Sequence, residues 1–169
     1  GVPAAWLLET LPDARVYALE PDGERARVAA LAFGERGEVR VGRAPEIPVV
    51  PEPAEAALMI DIIHLLSDDE FRESLARLKG ALAPKGRGRL ILRATIPAGK
   101  RFPWKRRIEE LRLRLARRSP LYRTEEMIIG LMEAAGFAAP GVDRIAGTEE
   151  VWFAAETKSP TSARRRRRS

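Results

Sequence analysis

The sequence predicts an α/β fold: a mostly parallel sheet with helices on both faces, closed at its end by an antiparallel hairpin. Three observations predict it. Short apolar runs alternate with segments of helical periodicity from Val2 to Gly136, the pattern of strand-crossover-strand units. The helical segments carry recognisable start and stop residues. After Gly136 the helical period gives way to two short strand-like runs around Gly147.

Ala4, Leu7, Leu8 and Leu11 recur at helical spacing before Pro12, which predicts a first helix over 2–11. "RVYALE" (15–20) reads as a strand. "PDGERARVAALAFG" follows as a helix, with Asp22 as N-cap and Gly34 as its stop. "GEVRVG" is a second short strand, and "VVPEPAE" is a proline-rich connection. "AALMI" (56–60) is a continuous apolar run, which predicts a strand covered on both faces. Ser67 and Glu70 form a capping box, ahead of a buried stripe at Phe71, Leu75, Leu78 and Leu82. "APKGRG" breaks that helix and "RLILRATI" is the next strand.

Beyond Pro97, Trp104, Ile108, Leu111 and Leu115 share one face of a basic amphipathic helix. "TEEMIIGLMEAAGF" is a further helix, with Thr124 as N-cap, two glutamates in its first turn and Gly136 as its stop. "GVDRIA" and "EEVWFAAET" face each other across Gly147 as a hairpin. The expected organisation is one domain over 1–157, a basic helical insertion at about 100–120, and a disordered arginine-rich tail over 158–169.

Composition narrows the chemistry. The 169 residues include no cysteine and one histidine, which excludes disulfides, thiol nucleophiles and multi-histidine metal clusters, so no metal is expected. The expected home is a reducing compartment, the cytoplasm. The net charge of +6 is local. Arg164–Arg168 account for five of 30 basic residues, and Lys100–Arg118 hold nine more against two acidic ones. Neither segment is interleaved with aromatic stacking residues, so no specific nucleic acid is expected. The arginine tail reads as a solvated end with weak affinity for polyanions.

The order of these elements, with an acid closing the 15–20 strand, resembles the class I S-adenosylmethionine-dependent methyltransferases, of Rossmann-like fold, over about residues 1–157. "ALEPD" resembles the end of that family's second strand, "VGRAPEIP" the turn after its third, and "ALMIDIIHLLSDDEFRESLARLKGALAPKGRGRLIL" its fourth strand, following helix and fifth strand. The resemblance implies S-adenosylmethionine as cofactor. It places Glu20 on the ribose hydroxyls, a role suited to an acceptor-only carboxylate. It puts the Ala44 backbone against the adenine, because Arg43 stands where many relatives carry an aspartate and cannot accept a hydrogen bond. Asp61 falls on the cofactor side of its strand, with a helix-capping or solvated carboxylate as the competing reading. Gly1 matches the last glycine of the family's glycine-rich loop, which implies that the first, central strand is missing and that the chain as it stands is crippled as a catalyst. The gap would be an exposed edge that invites a homodimer.

His64 is the candidate general base, against which stands simple packing at a helix start. Tyr17 and Tyr122 read as packing residues. The helix over 104–118 reads as a solvated basic face, a cover over the substrate, or a peripheral contact with anionic membrane. The implied function is methyl transfer to a small-molecule or lipid-like acceptor at oxygen or carbon. A degenerate, non-catalytic scaffold domain is the first alternative and a nicotinamide-dependent oxidoreductase the second, since an acid after the second strand serves that cofactor too.

Overall fold

The structure is a computed structural model that describes residues 2–84, 86–97 and 120–158. Gly1, the basic helix expected over 104–118 and the tail beyond Lys158 lie outside the described residues. The chain divides into two compact units, Gly1–Glu52 and Pro53–Ser169.

The first unit begins with α1 (Val2–Thr10), followed by β1 (Val16–Glu20), α2 (Gly23–Phe33) and β2 (Gly37–Val41). Pro12 follows the end of α1, and Arg36 donates to the carbonyl of Leu8 in its last turn at 2.8 Å and to that of Pro12 beyond it at 2.9 Å. Of the predicted apolar face, Leu8 is buried, but Leu11 lies past the last helical residue and is exposed. Asp22 caps α2 by accepting from the Arg25 N–H at 2.9 Å, and Gly34 ends it at φ 58°. β1 and β2 run parallel, with Val16 opposite Gly37 and Glu20 opposite Val41. Parallel pairing of consecutive strands requires a crossover, which α2 supplies.

The second unit holds β3 (Ala56–Ile60), α3 (Asp68–Ala81), β4 (Arg89–Thr95), α4 (Glu125–Ala134), β5 (Gly141–Arg144) and β6 (Glu150–Glu156). Its sheet runs β3-β4-β6-β5, with β3 parallel to β4 and the other pairs antiparallel. The Ser67 capping box is complete: its hydroxyl accepts from the Glu70 N–H at 3.2 Å, and the Glu70 carboxylate accepts from the Ser67 N–H at 2.8 Å. Thr124 caps α4, and Gly147, at φ 79°, turns the closing hairpin.

Burial alternates along β4: Leu90, Leu92 and Ala94 are buried, while Arg89, Ile91, Arg93 and Thr95 are not. β6 matches it with Val151, Phe153 and Ala155. Phe71 and Leu75 of α3, Ile128 and Met132 of α4, and Phe137 complete this core with no exposed surface. Each such side chain contributes about 1.5–3 kcal/mol of burial. The expectation that β3 is covered on both faces is corrected: only Met59 of its five residues is buried, and Leu58 is 40% exposed. β3 has one strand neighbour among the described residues, and Leu58 shares the open face of β4 that carries Ile91.

The turn from α3 to β4 is stapled to the end of β6. Thr157, 3% exposed, donates its hydroxyl to Ala83 O at 2.9 Å and accepts from the Gly86 N–H at 3.2 Å. Gly88 belongs to the same close approach: a Cβ there would stand 2.6 Å from Ala83 O and 2.7 Å from Leu82 Cβ. Gly88→Ala is therefore expected to lower stability by about 1–3 kcal/mol. Gly80→Ala, at a helical position with open space around it, is expected to raise stability by about 0.5–1 kcal/mol. Urea unfolding of both variants checks the pair, and equal shifts would contradict it.

Candidate functional site

Parallel pairing sends the carboxyl ends of neighbouring strands to one edge of their sheet, the edge where open α/β sheets bind ligands. In the first unit that edge carries Glu20 and the turn after Val41. The Glu20 carboxylate accepts from the Asp22 N–H through Oε1 at 3.1 Å, and the Glu20 carbonyl accepts from the Gly42 N–H at 3.2 Å. The first bond orients the carboxylate and uses only one of its roughly four lone-pair sites. Ala44, joined to Pro45 by a cis peptide bond, lies in the adjoining turn, which is closed by the Glu46 N–H donating to Arg43 O at 3.0 Å. Glu20 and Ala44 thus occupy the same end of one sheet.

Glu46 escaped the reading of the sequence. Its Oε2 lies 2.9 Å from the place a Cβ on Gly42 would take, and Leu19 Cδ2 lies 3.4 Å from it. The glycine therefore leaves room for an acceptor carboxylate beside the end of β1. The signal was present in "VGRAPE" as an acid three residues beyond Arg43, but only the folded turn brings it back toward the strand.

In the second unit the carboxyl ends of β3 and β4 carry Asp61 and Arg93. Asp61 adopts φ 55°, a left-handed conformation that aspartate tolerates better than most residues. Its backbone N–H donates to Arg93 O at 3.2 Å. Its carboxylate takes both arms of the Arg93 guanidinium, one of them Nε donating to Oδ1 at 3.0 Å. Glu150 stands 3.7 Å from the same guanidinium, and Arg93 lies 5.3 Å from the centroid of the Trp152 ring. The hydrogen bonds that Arg93 donates to Asp61, against the opposing effect of burial and with the help of the Asp61 and Glu150 charges, hold its pKa above the ordinary value. Arg93 thus stays charged and fixes the direction of the Asp61 carboxylate. Asp61 does not cap α3, which Ser67 does, and its side chain is partly exposed to solvent.

His64 sits on a single 3-10 turn, Ile63–Leu65, between Asp61 and α3. Its carbonyl accepts from the Leu121 N–H at 2.8 Å, and its ring stacks on Tyr122 at 6.0 Å between centroids and 16° between planes. Tyr122 is therefore a packing partner of the candidate base. Asp61 and His64 occupy the same end of the second sheet. Tyr17 lies within β1, half-buried.

Two further residues of this unit were not legible in the sequence. The sequence places Arg93 within a strand without indicating its partner, and it carries no signal that singles out Arg123. Among the described residues no group of three or more histidine or acidic side chains could hold a metal ion, and no helix is long and apolar enough to cross a membrane. A double-mutant cycle on Asp61→Ala and Arg93→Ala is expected to show a coupling of about 0.5–1 kcal/mol, at the modest end because both groups remain partly exposed. Additive losses in urea unfolding would contradict the pairing.

No family model matches the chain, and no curated protein matches it in sequence. Solved structures do match. An O-methyltransferase family protein from Burkholderia thailandensis superposes with a TM-score of 0.71 at 19% identity, over 93% of this chain and 48% of that one. Human N-acetylserotonin methyltransferase, solved in complex with SAM, gives 0.67 at 19% identity, over 92% of this chain and 44% of that one. The pyocyanin biosynthetic protein PhzM gives 0.61 at 26% identity, over 89% and 45%. The chain spans about half the length of these proteins. With Glu20 and Asp61 at the carboxyl ends of parallel strands and the antiparallel hairpin closing the second sheet, the chain has the fold of the class I S-adenosylmethionine-dependent methyltransferases.

Proposed function

We propose that this chain contributes the cofactor-binding fold of an S-adenosylmethionine-dependent methyltransferase whose acceptor is a small-molecule or lipid-like hydroxyl. The observation that carries the reading is Glu20, a carboxylate at the carboxyl end of a parallel strand, oriented by the Asp22 N–H and retaining acceptor capacity for a vicinal diol. The matched proteins add weight, since one is solved with SAM and another is described as an O-methyltransferase. The same matches favour neither the scaffold nor the oxidoreductase alternative.

The residues fit such a cofactor by their chemistry. Glu20 accepts from the ribose hydroxyls. The Ala44 backbone lines the adenine, and Glu46 offers the acceptor for an exocyclic amine that Arg43 cannot offer. Asp61, its carboxylate directed by Arg93, is an acceptor at the strand end of the second unit. When bound, the cofactor supplies an electrophilic methyl group on a sulfonium.

A hydroxyl acceptor is a poor nucleophile until it loses its proton, and an imidazole titrating near neutrality suits that task. His64, on the turn beside Asp61 and stacked on Tyr122, is the imidazole assigned to that task.

Calorimetric titration with S-adenosylhomocysteine tests the reading. Saturable binding that Glu20→Ala weakens at least tenfold, about 1.4 kcal/mol, is the expected result, and unchanged affinity in that variant would overturn the assignment. In methyl transfer to a phenolic probe, His64→Ala is expected to lower kcat by about 10²-fold or more while leaving S-adenosylhomocysteine affinity intact. Retained kcat would remove His64 from the chemistry.

A further inference from the structure

Arg123 is 4% exposed, which is rare for an arginine, and its guanidinium makes four hydrogen bonds. Nη1 donates to Ile63 O at 2.6 Å and Nη2 to Leu66 O at 2.8 Å. Nε and Nη2 both donate to Asp68 Oδ1, at 2.9 and 2.7 Å. The guanidinium also lies 5.1 Å from the centroid of the fully buried Phe71 ring.

The two carbonyls it holds flank His64. Ile63 precedes the imidazole, Leu66 closes its turn, and Asp68 is the first residue of the helix that follows. The neighbours of Arg123 act on the same turn: Leu121 bonds the His64 carbonyl and Tyr122 stacks on its ring. Three consecutive residues thus hold one short segment by backbone, ring and cation.

Burying an ionised group is costly unless it is paired and hydrogen-bonded. A purely apolar plug would join α3 to the segment before α4 more cheaply. What an apolar side chain cannot do is tie two carbonyls three residues apart to a carboxylate in one plane. A lysine cannot do it either, because its ammonium is a point charge without the planar fork.

We infer that Arg123 is a positioning residue for His64: its guanidinium fixes the 63–66 turn so that the imidazole is held in one orientation. The inference rests on the reading of His64 as the proton acceptor, and it adds to that reading the group that makes the placement rigid. Arg123 does not touch the reacting atoms, and its effect passes through the Ile63 and Leu66 carbonyls.

The single histidine of the chain makes this testable without knowledge of the acceptor, because the imidazole gives one Cε1–Hε1 correlation in an NMR spectrum. In Arg123→Lys of the full chain, with cooperative unfolding retained, that correlation is expected to move or split. S-adenosylhomocysteine affinity is expected to stay within about threefold of the parent. A folded Arg123→Lys whose His64 correlation coincides with the parent's would overturn the inference.

If Arg123→Lys does not fold, Asp68→Asn decides by the same criterion, since it weakens the grip on Arg123 at a side chain that is 49% exposed. The two readings separate cleanly. A displaced correlation together with full methyl transfer in His64→Ala would uphold the positioning and discard the base.

Discussion

The constraint on which the rest depends is parallel strand pairing. β1 with β2, and β3 with β4, each run in one direction, so each pair needs a crossover and delivers both carboxyl ends to one edge. The crossover over α2 brings Glu20 level with Val41 and the turn that follows it. In the second unit the crossover that includes α3 brings Ile60 level with Arg93, which is why Asp61, one residue further on, meets the guanidinium. Had either pair been antiparallel, these groups would lie at opposite ends of their strands. The candidate residues are thus grouped by topology before any side chain contributes.

Side chains then fix what topology brings near. The fully buried hydrophobes Phe71, Leu75, Ile128, Met132, Phe137 and Phe153 hold the second unit together, and three polar devices tune it. Thr157 ties the α3–β4 turn to the end of β6. Arg93 aims Asp61 and stacks on Trp152. Arg123 ties the His64 turn to α3. Of these only Arg123 is a buried charge, and it is the most completely bonded, as the cost of desolvating a guanidinium requires.

Much of the fold was legible because its signals are local. Asp22, the Ser67–Glu70 box, Thr124, Gly34 and Gly147 act within four residues of their own position, and each stands where the sequence places it. Glu20 and Asp61 were legible as acids closing apolar runs. The partners that give them direction were less so. Arg93 is 32 residues from Asp61, and Arg123 is 55 residues from Asp68, and no periodicity reports a contact at that separation. The expected two-sided burial of β3 failed for a related reason: an apolar run reports the character of its side chains, whereas burial depends on what else reaches the face. Glu46 falls between these cases, close in sequence to its site but returned to it only by the turn at Ala44–Pro45.

In the proposed site the carboxylate of Glu20 receives the ribose hydroxyls of an adenosyl cofactor. The most direct measurement is a calorimetric cycle that pairs S-adenosylhomocysteine and its 2′-deoxyribose counterpart with the parent chain and Glu20→Ala. Removing the hydroxyl is expected to weaken binding to the parent but to have little effect in the variant, a coupling of about 1.5 kcal/mol or more. Equal losses from the deoxy ligand in both proteins would contradict it, because the hydroxyl would then have its partner elsewhere.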